Sequence, residues 1–267
     1  ALPILFSAPM GTGDTNKAVQ AWLNTNTGGL LADAAKNIET KPQTVMLLLS
    51  ALYFKDRWSD EFYDGATSED TFTAADGTAQ RADFMHKTED RASYVRGEGY
   101  TVAQLSFRGG ERMIFLLPDE GTALTPLLRG EAALADLFTD VYDSDEAQTA
   151  KLVWSVPKFD VNSDLELTDT LKMLGVTDAF DDTRADFSPL ADFAVPVAVT
   201  QVQHAARVKI DEEGCEAAAF TAIMAEATSA MPEDLPVVEM NLNRPFAFAI
   251  TGADGLPLFV GAVNTME

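Results

Sequence analysis

Cysteine can supply a nucleophile and histidine a general base, and both residue types are scarce in this sequence. The chain has one cysteine, Cys215, and two histidines, one of which is His204. A Cys215–His204 dyad would make the protein an enzyme, whereas a lone cysteine is more often a small buried apolar residue. Two histidines exclude a histidine-rich metal site, and the sequence has no Gly-x-Ser-x-Gly elbow. We therefore expect no enzyme, and keep the dyad as a rival interpretation.

Acidic residues could hold a cation, and one segment begins like a calcium loop. Residues 160–164 read Asp-Val-Asn-Ser-Asp, but Leu165 stands where such a loop needs glycine and Leu171 where it needs glutamate. A turn from strand to helix explains the segment better. The pairs at residues 181–182 and 212–213 are adjacent in sequence and read as solvated charges. We expect no metal ion and no other cofactor.

The overall charge limits the partners that this chain can have. Its 267 residues carry 42 acidic and 19 basic side chains, a net charge of -23, and 46% of them are hydrophobic. A field of this sign repels phosphate backbones and anionic surfaces, so we expect no nucleic acid, membrane or heparin-like ligand. The longest apolar run, residues 45–54, is too short to span a bilayer. The charge suits an extracellular or cell-surface protein, although the chain does not determine its compartment.

Residues 212–236 combine a strand-like pattern with a loop-like stretch, two features that seldom occur next to each other. Read with a period of two, one face carries only small or apolar side chains: Cys215, Ala217, Ala219, Thr221, Ile223 and Ala225. This pattern suits a strand with one face on a tight core. Residues 227–236 that follow are loop-like. The alternative is an alanine-rich helix over residues 215–227, which helix propensity alone favours.

The elements that must position this segment are mostly strands. The patterning predicts several antiparallel strands in residues 70–117, and further strands over residues 151–156, 195–210, 246–250 and 258–263. It predicts helices over residues 125–138 and 165–174, with Thr125 as N-cap and Pro126 at the first position of the former. Another helix opens at residues 15–16 and ends at residues 28–29. Many strands without a βαβ rhythm indicate the α+β class with a large mixed or antiparallel sheet.

Residues 212–219 resemble the hinge of serpins, whose pattern is Glu-x-Gly-Thr-Glu-Ala followed by small residues. Seven other stretches resemble serpin motifs in the family's order, which makes the resemblance specific. They are Trp-Leu-x-x-x-Thr-x-Gly at 22–29, Ala-Leu-Tyr-Phe-Lys at 51–55 with Trp58, Ile-Phe-Leu-Leu-Pro-Asp at 114–119, Val-Pro-Lys-Phe at 156–159, His-Ala-Ala-Arg-Val at 204–208, Asn-Arg-Pro-Phe at 243–246 and Leu-Phe-Val-Gly-Ala-Val-Asn at 258–264.

The resemblance implies a serpin-like fold with a large central mixed sheet, further antiparallel sheets and several helices. It implies one partial domain over residues 1–267, without the family's opening helices, and a reactive-centre loop over residues 212–236. The implied hinge comprises Glu212, Glu213, Gly214, Cys215, Glu216, Ala217, Ala218 and Ala219. The implied sheet-opening region comprises Ser50, Trp58 and His204.

The resemblance also implies a mechanism, in which a serine protease attacks the loop and forms an acyl-enzyme. The cleaved loop then enters the central sheet as a strand and traps the protease. Counting along the loop as in inhibitory serpins places the reactive bond at Thr228–Ser229, with the bonds after residues 227 and 230 as alternatives. The small residues there predict an elastase-like or subtilisin-like protease. A trypsin-like target is not expected, because no lysine or arginine lies between Lys209 and Arg244.

Several departures from the family pattern keep a second interpretation open. Ser50 stands where serpins usually have asparagine, and Cys215 replaces the hinge threonine or serine. The loop is also several residues longer than in typical inhibitors. A non-inhibitory serpin, acting as a carrier, chaperone or structural protein, is the alternative, although such proteins tend to carry bulky or charged hinge residues. A partial domain that folds without inhibiting is a further alternative.

Overall fold

A computed structural model describes residues 8–26, 29, 36, 39–40, 54–189, 197–199, 202–215 and 235–266. In chain order its strands are β1 (Asp56–Arg57), β2 (Ser68–Thr73), β3 (Ala79–Gly97), β4 (Tyr100–Ser106), β5 (Arg112–Pro118), β6 (Gln148–Pro157), β7 (Phe159–Glu166), β8 (Gln203–Ile210), β9 (Gly214–Cys215), β10 (Val237–Asn241), β11 (Phe246–Thr251) and β12 (Pro257–Val263). The α-helices are α1 (Gly13–Asn26), α2 (Leu124–Leu127), α3 (Glu131–Phe138) and α4 (Thr168–Met173). Short 3-10 helices occupy Asp64–Ala66, Val141–Asp143 and Asp178–Phe180.

The chain divides into two compact units. The first comprises residues 1–53 and 161–208, and the second residues 54–160 and 209–267. No helix in the described ranges is both long and apolar enough to cross a membrane.

In the first unit, the described part of the chain opens with α1. Thr12 caps the helix, because its Oγ1 accepts a hydrogen bond from the backbone N–H of Thr15 at 3.3 Å. The helix therefore begins two residues before the predicted start at residue 15. Gly29, with a φ of 87°, donates its N–H to the Asn24 carbonyl at 2.8 Å and ends the helical turn as predicted.

The helix predicted over residues 165–174 is shorter than the patterning indicated. Leu165 and Glu166 still belong to β7, and α4 begins only at Thr168. The carboxylate of Glu166 accepts a hydrogen bond from the Thr168 N–H at 3.1 Å, which fixes the change from strand to helix at this point. The predicted strand over residues 195–210 is likewise wrong at its start, since residues 197–199 are not in a strand and β8 begins at residue 203.

The second unit contains an eight-stranded sheet. Seven strands follow the order β10-β6-β3-β4-β5-β11-β12, and β2 pairs with β3 beside them. All pairings are antiparallel except that of β10 with β6, which is parallel. The predicted α+β class with a large mixed sheet is therefore confirmed. Turns that include residues 76–77 and 109–110 connect β2 to β3 and β4 to β5.

Two helices cover one face of this sheet where the sequence predicted one. The prediction of a single helix over residues 125–138 is wrong, because Gly130 separates α2 from α3 and donates its N–H to the Leu127 carbonyl at 2.9 Å. The N-cap of α2 is Ala123, not Thr125. Apolar residues of both helices pack on the strands and form a buried cluster with them: Leu124, Ala133, Leu137, Val95, Val102, Ile114, Leu116, Ala247 and Ala249.

Candidate functional site

A tight turn connects β8 to β9 at the start of the predicted hinge. Ile210 pairs with Cys215, and the Asp211 N–H donates to the Gly214 carbonyl at 3.0 Å. The Asp211 carboxylate closes the turn, because its Oδ1 accepts the N–H groups of Glu213 at 3.0 Å and Gly214 at 3.2 Å. Aspartate commonly stabilises a turn in this way, by bonding backbone groups two or three residues on.

The two residues after this turn already form a short strand with partners on both edges. β9 pairs antiparallel with β1, placing Cys215 opposite Asp56 and Gly214 opposite Arg57. On its other edge, Cys215 pairs with Ile210 at the end of β8. A Cβ atom on Gly214 would lie 2.2 Å from the Asp56 carbonyl oxygen, so only glycine fits between the two backbones here.

Trp58 fixes the position of the turn from the side of β1. Its backbone N–H donates to the Glu213 carbonyl, and its indole Nε1–H donates to the Asp211 carbonyl, both at 2.9 Å. The side chain is fully buried and stacks on Phe107 with ring centroids 4.4 Å apart. Trp58 thus joins the turn to the apolar interior through two directed hydrogen bonds.

Glu212 is tied down by a hydroxyl, an ammonium group and a backbone amide. Thr67 Oγ1 donates to its carboxylate at 2.7 Å, Lys158 Nζ lies 3.1 Å away, and the Phe62 N–H donates to its carbonyl at 3.0 Å. Burial by itself would raise the pKa of Glu212, but the hydrogen bonds from Thr67 and Lys158 outweigh it and lower this pKa below its ordinary value. The carboxylate is therefore ionised at neutral pH.

Glu213 meets a different cation. Arg57 Nη2 lies 3.4 Å from its carboxylate, while Nε of the same guanidinium lies 2.9 Å from Glu61. Arg108 also pairs with Glu61, at 2.9 Å. We call residues 56–58 and 210–215, together with Thr67 and Lys158, the hinge corner.

The structure brings Trp58 together with Glu212, Glu213, Gly214 and Cys215, five of the predicted site residues. Cys215 is 3% exposed, and its Sγ lies 3.8 Å from the Phe54 carbonyl oxygen. His204 has an exposed side chain and belongs to the first unit. The other predicted residues lie outside the described residues: Ser50, Glu216, Ala217, Ala218, Ala219, Thr228 and Ser229. Among the described residues, no three His, Cys, Asp or Glu side chains lie close enough together to hold a metal ion.

Sequence reasoning missed the four residues whose side chains hold the turn or its glutamates in place: Arg57, Thr67, Lys158 and Asp211. Lys158 lies within the Val-Pro-Lys-Phe motif, yet nothing in the sequence links it to Glu212, 54 positions later. Asp211 carried a usable signal, because Asp-Glu-Glu-Gly is a sequence that favours a turn closed by the aspartate side chain.

The sequence model of the family described as Serpin (serine protease inhibitor) matches residues 8–266. The chain belongs to the serpin family. Wheat (Triticum aestivum) Serpin-Z1B is 31% identical over 253 residues, and the alignment covers 92% of this chain but 62% of the relative. The human leukocyte elastase inhibitor is 28% identical over 259 residues, covering 94% of this chain and 66% of the relative. Serpins are generally protease inhibitors and not catalysts.

Solved structures agree on the fold. A serpin from the trematode Schistosoma haematobium superimposes with a TM-score of 0.75 at 22% identity, over 96% of this chain and 64% of that one. Human thyroxine-binding globulin complexed with its ligand also gives a TM-score of 0.75 at 22% identity, over 96% of this chain and 65% of that one. The predicted serpin fold is therefore confirmed, and it is shared with a protein solved as a complex with a small molecule.

Proposed function

We propose that this serpin inhibits a serine protease by acting as a suicide substrate, with residues 212–236 as its reactive-centre loop in a single serpin-like domain. The observation that carries the proposal is the position of β9. Gly214 and Cys215 already pair as a strand with β1 on one edge and with the end of β8 on the other. The residues that follow continue with small or apolar side chains on alternate positions, so the same strand can lengthen without overpacking its buried face.

In the proposed mechanism the protease attacks the bond between Thr228 and Ser229. Its serine forms an ester with the Thr228 carbonyl carbon, and the peptide nitrogen of Ser229 leaves as a free amine. The cleaved loop then inserts beyond β9 and carries the acyl-enzyme with it. About a dozen inserted residues would add roughly ten backbone hydrogen bonds, a gain on the order of 10 kcal/mol. That gain rivals the whole stability of an ordinary domain, so it can drive the displacement of a protease.

The loop residues suggest the class of protease. Small and neutral residues surround the proposed reactive bond, which suits an elastase-like enzyme with a small specificity pocket, or a subtilisin-like enzyme. A relative 28% identical to this chain is named for inhibition of leukocyte elastase. No basic residue is available in residues 210–243 for a trypsin-like enzyme.

The test is incubation with pancreatic elastase and with subtilisin, followed by denaturing gels and mass spectrometry. We expect an adduct that survives denaturation and a released peptide that begins at Ser229. Ala217→Glu should abolish the adduct while cleavage continues, because it places a charge on the face that must become buried. Ala218→Glu, one position away on the opposite face, is the matched control and should still form the adduct. Cleavage without any adduct in the unmodified chain would contradict the proposal.

A carrier function is the alternative, and the similarity of the fold to that of thyroxine-binding globulin favours it. A carrier would be stabilised by its ligand, since a molecule that binds only the folded state raises the melting temperature. Thyroxine added at increasing concentration should leave the melting temperature of this chain unchanged if it is an inhibitor. A rise that depends on the thyroxine concentration, together with cleavage but no adduct, would support the carrier function.

A further inference from the structure

Arg57 occupies an unusual position, because it belongs to the strand that receives the hinge and also contacts a hinge side chain. Its backbone lies opposite Gly214 in the pairing of β1 with β9. Its guanidinium lies between two carboxylates, 3.4 Å from Glu213 and 2.9 Å from Glu61. Arg108 Nη2 also lies 2.9 Å from Glu61, at the same carboxylate oxygen, Oε1, that Arg57 contacts. One side chain therefore connects β1 to the residue immediately before β9.

Charge alone holds this contact. Glu213 Oε2 lies 3.4 Å from Arg57 Nη2, is shielded from water and has no hydrogen-bond partner of good geometry in the described part of the structure. The two side chains remain 26% and 30% exposed as a whole, so the pair lies close enough to solvent for dissolved salt to screen its charges. An ion pair of this kind is weakened by salt, whereas an aligned hydrogen bond is much less affected.

Glu212, the neighbouring glutamate, is held by a hydrogen bond as well as by charge. Glu212 accepts a 2.7 Å hydrogen bond from Thr67 and is 12% exposed. In the chain it comes just before Glu213 and Gly214, the two residues whose N–H groups donate to the Asp211 carboxylate. Glu212 therefore anchors the beginning of the turn, whereas the Arg57–Glu213 pair lies directly at the start of β9.

We propose that Arg57 is a positioning residue that acts as an electrostatic latch, holding Gly214 and Cys215 in the sheet through Glu213. When the latch opens, β9 leaves its place between β1 and β8, and insertion of the loop must start again from the turn. The consequence for protease trapping rests on the proposed inhibitory function, but the opening of β9 does not. Salt and removal of either charged partner should therefore open the same two residues.

Cys215 reports this opening directly, because it is the only cysteine in the chain and its side chain is buried within β9. The experiment measures the rate at which iodoacetamide, a neutral reagent, alkylates Cys215 in the folded protein. Intact-mass spectrometry at successive times gives the fraction of alkylated protein. Removing an ion pair worth about 1 kcal/mol raises the open population about fivefold. We therefore expect Arg57→Gln and Glu213→Gln each to increase the alkylation rate about fivefold at low salt, and the double variant to increase it no further than either single one.

Salt provides a second measurement that needs no substitution. Raising sodium chloride to about 1 M shortens the Debye length to about 3 Å and should accelerate alkylation of the unmodified chain toward the rate of Arg57→Gln. The variant itself should respond little, and free cysteine in the same buffers corrects for the intrinsic reactivity of the thiol. Arg57→Lys should give an intermediate rate, because one ammonium group cannot face two carboxylates as a guanidinium does.

The matched control is Arg81→Gln, which breaks the exposed ion pair between Arg81 and Glu69 in the same unit. It should leave the alkylation rate unchanged. Equal rates in Arg57→Gln, Glu213→Gln and the unmodified chain, or rates that add in the double variant, would overturn the latch. If one substitution prevented folding, the salt response of the unmodified chain would still decide the matter.

Adduct formation with elastase or subtilisin is measured separately on the same variants. Faster alkylation combined with a larger fraction of cleaved, untrapped Arg57→Gln would support both the latch and its role in inhibition. Faster alkylation in a chain that never forms an adduct would support the latch and contradict the proposed function.

Discussion

The eight-stranded sheet and the hinge corner belong to the same compact unit but are stabilised in different ways. In the sheet, neighbouring strands pair over as many as nine residue positions, and large side chains such as Phe115 and Trp154 are fully buried. In the hinge corner, β9 has two residues and is held by charges, a turn and one tryptophan. Opening any part of the sheet breaks many strand pairings and apolar contacts, whereas the hinge corner can open by losing a few contacts.

This contrast suits the proposed mechanism, in which the loop changes partners without unfolding of the rest of the protein. A continuous apolar core makes opening cooperative, since every strand depends on its neighbours. Ion pairs and single hydrogen bonds contribute about 1 kcal/mol each, so they can be broken one by one. Substitutions in each region can show whether the sheet and the hinge corner open separately.

Phe115→Ala should have the largest effect on global stability. Phe115 is fully buried, and its ring lies 5.9 Å from Trp154 and 6.1 Å from Phe246. Its removal leaves a cavity and should lower the free energy of unfolding by about 3–5 kcal/mol, measured by urea denaturation. Alkylation of Cys215 in the folded state should remain slow. If this variant opened the hinge corner as strongly as substitutions within it, the two regions would not be separable.

Gly214→Ala should have the largest effect within the hinge corner. A Cβ atom would lie 2.2 Å from the Asp56 carbonyl oxygen and 2.7 Å from the Arg57 Cα, so β9 must move away from β1. We expect Cys215 alkylation to rise more than about tenfold, while global stability falls by about 1–3 kcal/mol. Gly13→Ala is the control, because a Cβ at residue 13 meets nothing within 4 Å. An unchanged alkylation rate in Gly214→Ala would show that β9 is not confined as described.

Glu212→Gln should have a smaller effect that depends on pH. The pKa of Glu212 is lower in the folded protein than its ordinary value of 4.5, so its ionised form stabilises the fold. That contribution is fully present above pH 4.5 and is lost as the pH falls through the lowered folded pKa. At pH 7 we expect the substitution to cost about 1 kcal/mol, and the difference from the unmodified chain should shrink in acid. Urea denaturation at several pH values measures it, and a constant difference would contradict the assignment.

Asp211→Ala should have the smallest effect on stability. It removes the carboxylate that accepts the N–H groups of Glu213 and Gly214, leaving two backbone donors to water. We expect a loss of about 0.5–1.5 kcal/mol and a moderate rise in Cys215 alkylation. Asp211→Asn keeps an acceptor oxygen and should recover most of both effects. If the asparagine variant behaved like the alanine variant, charge and not the turn geometry would be the cause.

Much of the fold could be predicted because strand and helix patterns are local. β6, β11 and β12 contain the strands predicted over residues 151–156, 246–250 and 258–263. The errors occurred where a local pattern had two solutions. The apolar spacing over residues 125–138 is the same for one helix or two, and Gly130 decided between them by closing a turn onto Leu127. Leu165 and Glu166 could continue a strand or begin a helix, and their place in β7 resolved this.

The candidate site was predicted less completely. Its glutamates, its glycine and Trp58 followed from motifs in the sequence, but the cations that neutralise the glutamates did not. Arg57 and Lys158 are two of 19 basic residues, and no periodicity distinguishes them from the others. Lys158 is separated from Glu212 by 54 positions and Thr67 by 145, so only folding brings these groups together.

The sequence by itself therefore determined most of the strand positions, that residues 212–226 carry only small or apolar side chains on alternate positions, and which family the motifs resemble. Each of these is a property of neighbouring residues, and short-range sterics and periodicity suffice to reveal it. The tertiary structure alone decided that β9 lies between β1 and β8, that Arg57 faces Glu213 and that Lys158 faces Glu212. Pairings between distant residues depend on how every intervening element packs, and a single sequence does not contain that geometry in any local pattern.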